Sequence, residues 1–182
     1  MQNVIYVVRH CQAAGQAQDA PLTEEGVRQA RQLADQLAKY GIERLVASPY
    51  TRAVQSIAPL AQRLGLRVHT DARLAERVLS SEPLEDWQAA LRATFEDLDR
   101  CYPGGETSRA AMRRAVAALD EIAAHLARIS VVVTHGNLMT LLLKQLDPAI
   151  GFAFWQQLTT PDLYRVKLGS RTTVQRVAPE VA

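Results

Sequence analysis

Short apolar runs along the chain predict buried β-strands. Residues 4–8 are β-branched and aromatic, and residues 131–133 are three consecutive valines. Uninterrupted runs of this kind are typical of strands that are covered on both faces. Residues 45–47 predict another strand, and residues 67–69 predict a further one that leads to the segment Leu74-Ala75-Glu76.

Between these runs the apolar positions change to a helical period of three or four residues. The first helix is predicted to start after Thr23 as N-cap, and Gly41 lies just past its end. The second is predicted to use Ser48 as N-cap and Pro49 as its first residue, with Gly65 after its end. Their apolar positions are Val27, Ala30, Ala34 and Leu37, then Ala53, Ile57, Leu60 and Leu64.

Further helices are predicted on both sides of the break at Pro103-Gly104-Gly105. Their apolar positions are Leu84, Trp87, Leu91 and Leu98 before the break, and Ala115, Leu119, Ile122 and Leu126 after it. A short helix is predicted from Asn137.

A β-hairpin is predicted near the carboxyl end, where residues 163–168 and 172–177 flank the two-residue turn Gly169-Ser170. Strands that alternate with helices predict an α/β fold, a three-layer sandwich with a mostly parallel central sheet and helices on both faces. No repeat or linker divides the sequence. We therefore expect a single domain over residues 1–182, with residues 80–107 as a small cap insertion.

Composition excludes several classes of protein. The net charge of +2 is too close to neutral to indicate nucleic-acid or anionic-membrane binding. No apolar run approaches the roughly 20 residues of a membrane span. No basic stretch leads into an apolar run at the N-terminus, so no signal peptide is expected and the cytoplasm is the default compartment. Cys11 and Cys101 show neither metal-ligand spacing nor a disulfide framework.

Polar side chains that suit phosphate chemistry follow the predicted strands. In open α/β sheets, ligands bind outside the carboxyl ends of the strands. Two arginines can form paired hydrogen bonds to phosphoryl oxygens, one imidazole can attack phosphorus, and another can stabilise the developing charge. A carboxylic acid can protonate the leaving alkoxide. The residues at these ends are Arg9-His10, Ser48 with Arg52 one turn later, Glu76, and His135-Gly136.

Each of these residues also has a structural interpretation when it is taken alone. A histidine after a strand is more often structural than catalytic. Arg52 could be a solvated helix residue and Glu76 a surface carboxylate. His10 and His135 stand out because both end the strongest strand patterns and have Arg or Gly as immediate neighbours.

Several motifs, taken in order, resemble the histidine phosphatase superfamily, which includes cofactor-dependent phosphoglycerate mutases. Any one of them would be weak evidence, whereas the ordered set, which extends from near residue 4 to about residue 140, is specific. The motifs are Arg9-His10, Pro21-Leu22-Thr23-x-x-Gly26 with Gln29-Ala30, Ser48-Pro49-x-x-Arg52-Ala53, Leu74-Ala75-Glu76-Arg77, Gly104-Gly105-Glu106, and Thr134-His135-Gly136-Asn137.

The resemblance implies a role for each matching residue. His10 would be the phosphorylated nucleophile, and the phosphate pocket would be completed by Arg9, Arg52 and His135. Glu76 would match the proton donor of the family. Substrate contacts are implied for Gln16, Gly136 and Asn137, the last two at a helix start, which favours anions. The implied partner is a small-molecule phosphate ester, without a cofactor or metal, and the oligomeric state stays open.

Departures from the family pattern bear on the reaction. Relatives usually have Gly where this chain has Cys11 and an acidic or polar residue where it has Gln12, and residues 78–81 lack the Gly and aromatic residues common in mutases. The chain also stops soon after the hairpin, whereas mutases are typically longer. We therefore expect a phosphatase that hydrolyses a phosphate monoester through a phosphohistidine on His10. The alternatives are phosphoglycerate mutase-type transfer and a catalytically silent binding protein on the same fold.

Two other chemistries fit the sequence poorly. A cysteine-based phosphatase needs an arginine in the phosphate-binding loop, but the corresponding positions after Cys11 and Cys101 hold Ala17 and Thr107. A metal site on the two strand-end histidines lacks an adjacent Asp or Cys cluster.

The roles of Glu76 and Cys11 lead to more specific expectations. Partial burial at a strand end would raise the pKa of Glu76 and keep a proton available. The alternative is a surface salt bridge from Glu76 to a neighbouring arginine, Arg77 or Arg73, and the reserve proton donors are Glu82 and Glu106. Cys11 is predicted to be a small spacer whose thiol pKa is lowered by the cationic groups beside it.

Overall fold

A computed structural model describes residues 3–169 and 171–178, and these residues form one six-stranded sheet with helices on both faces. The strands are β1 (Asn3–Arg9), β2 (Arg44–Ala47), β3 (Val68–Thr70), β4 (Ile129–Thr134), β5 (Asp162–Leu168) and β6 (Thr173–Arg176). The helices are α1 (Glu24–Leu37), α2 (Thr51–Leu64), α3 (Trp87–Glu96), α4 (Ser108–Ala124), α5 (Gly136–Leu146) and α6 (Phe152–Gln156).

The sheet has the strand order β3-β2-β4-β1-β5-β6. The first four strands in this order are parallel to one another, and β5 and β6 are antiparallel to their neighbours. The predicted hairpin is present, but its last pair is Lys167 with Thr173, so the connection is longer than a two-residue turn. The predicted turn residue Ser170 lies outside the described residues.

Two hydrophobic cores lie on opposite faces of the sheet because side chains alternate along each strand. In β1, Ile5 and Val7 pack with α4 and α5, whereas Tyr6 and Val8 pack with α1 and α2. This arrangement confirms the predicted three-layer sandwich.

Helix α1 begins where its sequence predicts, since the Thr23 hydroxyl accepts a hydrogen bond from the Gly26 N–H at 3.0 Å. The prediction for Val27 was wrong, because its side chain is 41% exposed and Leu33 fills the core instead. A short 3-10 turn, Ala38–Tyr40, follows α1 and ends at Gly41 in the left-handed conformation.

Helix α2 begins at Thr51, two residues later than predicted, with Tyr50 as its N-cap. The prediction that Ser48 caps this helix and that Pro49 opens it is therefore wrong. The physical reason is that the Ser48 hydroxyl is engaged by a histidine side chain on a neighbouring segment, described below.

Four further expectations about segment ends were wrong. Leu84 and Leu98 lie outside α3, and Leu126 lies beyond α4 with its side chain 96% exposed. Strand β3 stops at Thr70, and a 3-10 turn over Ala72–Leu74 precedes Glu76, so Glu76 is not at a strand end. Within the described ranges, every helix is too short or too polar to cross a membrane.

Candidate active site

The carboxyl ends of the central parallel strands bring the candidate residues to one edge of the sheet. Arg9 is in register with Thr134, and Ala47 with Val133. His10, Ser48 and His135 follow directly after β1, β2 and β4. The backbone N–H of His10 donates to Thr134 O at 3.0 Å, which continues the sheet by one residue and fixes the start of the next segment.

The position of the His10 ring defines which of its nitrogens carries the proton. Its Nδ1 lies 2.7 Å from the Cys11 carbonyl oxygen, which can only accept, so Nδ1 is the donor and Nε2 keeps a lone pair. Arg52 Nε donates to that Nε2 at 3.3 Å. Burial, together with the charges of Arg52 and Arg9, lowers the pKa of His10 to about 4. His10 is therefore neutral near pH 7, as a nucleophile must be.

Arg52 is almost completely buried, with 1% of its surface exposed. Its Nη1 donates to the carbonyls of Ala17 at 2.7 Å and Gln16 at 3.3 Å, and its guanidinium lies 4.9 Å from the centre of the Tyr50 ring. The structure does not bring the predicted Gln16 side chain into the cluster. Gln16 is exposed, and it contacts Arg52 through its backbone carbonyl.

Arg9 lies against the start of α5. Its Nη1 donates to the carbonyls of Leu158 at 3.1 Å and Thr159 at 3.3 Å, whereas its Nε is buried without a partner in the described chain. A Cβ on Gly136 would lie 3.2 Å from that Nε, so glycine at the helix start lets the guanidinium approach the backbone. Glycine at position 136 is therefore explained by its packing against Arg9.

The loop that holds Arg9 is itself held by an ion pair. Asp162, opposite Arg9 in the β1–β5 register, accepts two hydrogen bonds from Arg176 at 2.9 and 2.7 Å and one from the Thr159 N–H at 3.0 Å. The Asp162 side chain is only 3% exposed. Its negative charge and that of Glu76 partly offset the positive charge of Arg9, whose pKa burial lowers.

His135 is the N-cap residue of α5 and is 1% exposed. Its Nε2 lies 2.7 Å from Ser48 Oγ, and its Nδ1 is buried without a partner in the described chain. Its ring centre lies 5.1 Å from that of His10 and 4.8 Å from that of Tyr50. Burial, with the nearby charges of His10 and Arg52, lowers the pKa of His135 well below its usual value.

Glu76 binds the start of α5 rather than a neighbouring arginine. Its carboxylate accepts from the backbone N–H groups of Arg77 at 2.9 Å, Leu138 at 2.9 Å and Asn137 at 3.2 Å. Burial raises the pKa of Glu76, and these three donors oppose the rise by stabilising the anion. The N–H groups of Asn137 and Leu138, where we expected the substrate anion at this helix start, thus bind Glu76.

The alternative of a Glu76 salt bridge is not what the structure contains. Arg73 pairs with Asp71 and Glu121. The Arg77 guanidinium donates instead to Glu106 O at 2.8 Å and Thr94 Oγ1 at 2.8 Å.

Glu106, a reserve proton donor, is engaged elsewhere. Arg114 binds its carboxylate through two hydrogen bonds of 2.8 Å and also donates to the carbonyls of Arg73 and Ala75. Arg114 thus fixes the backbone that leads to Glu76. The other reserve, Glu82, is exposed.

The expectation that neighbouring cationic groups lower the thiol pKa of Cys11 was wrong. The Cys11 side chain is fully buried, and burial raises its thiol pKa to about 11. Its backbone N–H donates to Ser56 Oγ at 2.8 Å, which fixes the backbone of the loop after His10 against α2. Across residues 3–169 and 171–178, no group of three or more His, Cys, Asp or Glu side chains is arranged to hold a metal ion.

Sequence reasoning missed three residues that support this cluster: Tyr50, Arg114 and Asp162. It places Ser48 at a strand end but predicts a helix cap for its hydroxyl. Asp162 pairs with Arg176 across the hairpin, and it helps to hold the guanidinium of Arg9, which belongs to β1. No local sequence pattern therefore indicates the role of Asp162.

The chain matches a known family model over most of its length. Residues 5–176 match the model of the histidine phosphatase superfamily, branch 1. Among curated proteins, the chain is 31% identical over 160 residues to the probable phosphoglycerate mutase GpmB of Yersinia pestis, and the match covers 78% of this chain and 74% of that protein.

Solved structures agree with this match in fold. A mycobacterial glucosyl-3-phosphoglycerate phosphatase in complex with inorganic phosphate is 25% identical with a TM-score of 0.77, covering 99% of this chain and 98% of that chain. A phosphoserine phosphatase mutant from Entamoeba histolytica is 18% identical with a TM-score of 0.79, covering 98% of each chain, and supports the fold alone. The chain therefore belongs to branch 1 of the histidine phosphatase superfamily, which confirms the family and the phosphomonoesterase class predicted from its sequence.

Proposed function

We propose that this enzyme hydrolyses a small phosphate monoester through a phosphohistidine on His10. The observation that carries the proposal is the pair of contacts at the His10 ring. The Cys11 carbonyl holds the proton on Nδ1, and the lone pair of Nε2 accepts a hydrogen bond from the buried guanidinium of Arg52, which phosphoryl oxygens would take over when substrate binds. A neutral, oriented imidazole beside an oxygen-binding cation is what attack on a phosphoryl group needs.

In the first step, His10 Nε2 forms a bond to phosphorus as the bond from phosphorus to the ester oxygen breaks. Arg9, Arg52 and His135 stabilise the charge on the phosphoryl oxygens. Glu76 donates a proton to the leaving oxygen, so that an alcohol departs.

In the second step, water attacks the phosphohistidine. Glu76, now a carboxylate, takes a proton from the water as its oxygen bonds to phosphorus, and the P–N bond breaks. Inorganic phosphate leaves, and His10 and Glu76 return to their initial states. Asn137, whose Oδ1 is buried without a partner within the described residues, is the further candidate for a substrate contact.

The intermediate can be tested by rapid acid and base quenching with ³²P-labelled substrate. We expect an acid-labile, base-stable adduct, because a phosphoramidate has those properties. His10→Ala should form no adduct and show no turnover, whereas His69→Ala, at an exposed position in β3, should behave as the wild type. Full turnover by His10→Ala would exclude the mechanism, and absence of turnover by the wild type on a broad ester panel would favour a silent binding protein.

The role of Glu76 can be tested through the leaving group. Glu76→Gln should slow the hydrolysis of alkyl phosphates far more than that of p-nitrophenyl phosphate, whose leaving group barely needs a proton. Glu82→Gln, at the exposed reserve position, should leave the ratio of the two rates unchanged, and Glu24→Gln, also exposed, is the matched control. Equal slowing of both substrates by Glu76→Gln would assign the proton to another group.

A second candidate function is phosphoglycerate mutase-type transfer, favoured by the 31% identity to a probable phosphoglycerate mutase. The test is incubation with 3-phosphoglycerate and catalytic 2,3-bisphosphoglycerate. Release of inorganic phosphate supports hydrolysis, whereas rapid formation of 2-phosphoglycerate with little free phosphate supports the mutase.

We further propose that residues 80–107 form a small cap over the site within a single domain. Helix α3 of this segment is joined to the Glu76 loop through Arg77 and Thr94, and its Trp87 contacts Trp155 of α6 with ring centres 5.8 Å apart. A cytoplasmic location is proposed because both cysteines are unpaired, as is usual in a reducing compartment.

A further inference from the structure

The contact between Ser48 and His135 connects two buried side chains at the ends of neighbouring strands. Ser48 is 0% and His135 1% exposed, and Ser48 Oγ lies 2.7 Å from His135 Nε2. The same Oγ accepts the Tyr50 N–H at 3.3 Å. This leaves Nδ1 as the His135 nitrogen available to a ligand, since it is buried and no described residue bonds to it.

The donors and acceptors available at this contact determine which of the two groups donates. A serine hydroxyl has one proton to donate and two lone pairs. If His135 Nε2–H donated to Ser48, the hydroxyl proton would need a second acceptor, and none is present among residues 3–169 and 171–178. If Ser48 donates to Nε2 instead, both hydroxyl roles are satisfied, and the imidazole proton lies on Nδ1.

We propose that Ser48 is a positioning residue that holds His135 as its Nδ1–H tautomer, so that the neutral imidazole donates a hydrogen bond to a phosphoryl oxygen. This inference rests on the proposed phosphatase function. With the opposite tautomer, Nδ1 would present a lone pair to phosphoryl oxygens that are themselves negative, and His135 would repel the transition state rather than stabilise it.

The two histidines then carry their protons on the same atom for opposite purposes. In His10, the Cys11 carbonyl holds Nδ1–H, so the lone pair is on Nε2 and can bond to phosphorus once phosphoryl oxygens have taken over the Arg52 Nε–H. In His135, Ser48 occupies Nε2 and leaves Nδ1–H for oxygen. Because burial keeps His135 uncharged near pH 7, it has one N–H to offer, and the tautomer decides whether that N–H points to the ligand.

The tautomer can be measured directly by ¹⁵N NMR of the labelled, full-length enzyme at pH 7, with His135→Gln used to assign the resonances. We expect a pyrrole-type Nδ1 and a pyridine-type Nε2 in the wild type. In Ser48→Ala, we expect a mixture of tautomers. A pyridine-type Nδ1 in the wild type would overturn the proposal, whatever substrate the enzyme uses.

Enzyme kinetics provide a second test of the proposal. Ser48→Ala should lower kcat for p-nitrophenyl phosphate about 10- to 100-fold, the usual cost of losing a partner that orients a functional histidine. KM and the affinity for inorganic phosphate should change much less, because the donor matters most in the transition state. Ser48→Thr should restore both the tautomer and kcat.

Ser130→Ala is the matched control, since Ser130 is a buried serine of β4 far along the strand from His135. It should leave the tautomer and kcat unchanged. An unchanged tautomer in Ser48→Ala would refute the proposal even if activity fell, because the loss would then be purely structural. If the wild type showed the expected tautomer but no phosphatase activity, the proposed function would fail while the hydrogen-bond assignment stood.

Discussion

Replacing Arg52 by Met should abolish most activity without lowering stability. Arg52 is buried, yet the acceptors of its Nη1 are the carbonyls of Gln16 and Ala17, two exposed loop residues that water can solvate instead. No carboxylate in the described part of the chain lies within ion-pair distance of it. Its buried charge thus lacks the directly paired carboxylate that a structural arginine usually has.

The expected loss of activity follows from the removal of one oxyanion donor. Such a donor is worth about 2.7–4 kcal/mol in the transition state, so kcat/KM should fall about 100- to 1,000-fold. Methionine fills a similar volume without a charge. Because burial lowers the pKa of Arg52, the charged form is less favourable in the folded state than in water. The free energy of unfolding should therefore be unchanged or raised, by up to about 2 kcal/mol.

The assay combines hydrolysis of p-nitrophenyl phosphate with thermal and urea unfolding of the same preparations. Arg63→Met is the matched control, because Arg63 lies on the same helix in an exposed ion pair with Asp35 and should affect neither property by more than about 0.5 kcal/mol. A fall in Tm of more than about 4 °C for Arg52→Met would correspond to over 1 kcal/mol and would refute the reasoning. Arg52 would then be a structural residue.

Three further predictions concern the loop after β1. The NMR titration of His10 should have its midpoint near pH 4 rather than 6.5. Between these two values the unfolded chain binds more protons than the folded chain, so the free energy of unfolding should rise with pH. This rise should be smaller in His10→Gln. A midpoint near 6.5 would contradict the burial argument. Cys11 should resist a thiol reagent at pH 8 in the native protein while the exposed Cys101 reacts; two reacting thiols per native chain would disprove its burial. Gly26→Ala should lower the free energy of unfolding, measured in urea, by about 1–3 kcal/mol, because its Cβ would lie 2.0 Å from the Gln12 carbonyl oxygen. Gly15→Ala, whose Cβ would make only ordinary contacts, should not lower it. Equal stabilities of the two variants would show that the loop moves aside at no cost.

The sheet and the strand-end cluster could be predicted because both depend on local sequence. Buried parallel strands leave uninterrupted apolar runs, and parallel strands place the residues that follow them at the same edge. His10 and His135 follow such runs directly, so their proximity was implied once the strands were recognised. The glycine at position 136 could be placed at the helix start for the same reason.

The partners of these side chains could not be predicted, because hydrogen bonds across the fold leave no periodic signal. Ser48 followed by Pro49 has the pattern of a helix N-cap, and tertiary contact with His135 overrides that preference. Glu76 was expected at a strand end, yet it reaches the N–H groups of α5, about sixty residues later in the chain. Only the folded topology relates such positions.

The contacts of Glu76 explain how one carboxylate could serve as both acid and base. Without substrate, three backbone donors and the nearby charge of Arg9 favour its anion, against the effect of burial. A phosphate dianion bound beside Arg9 and Arg52 would offset the positive charge that stabilises this anion, and negative charge nearby raises the pKa of a carboxyl group further. Substrate binding would thus itself favour the protonated form that the first step requires. Once the alcohol has taken that proton, the carboxylate returns to its three donors and is ready to accept a proton from water. Under the proposed function, the helix start would therefore make Glu76 a reversible proton carrier whose state follows the charge in the phosphate pocket. The proposed acid would then need backbone N–H groups, rather than an arginine, as its partners.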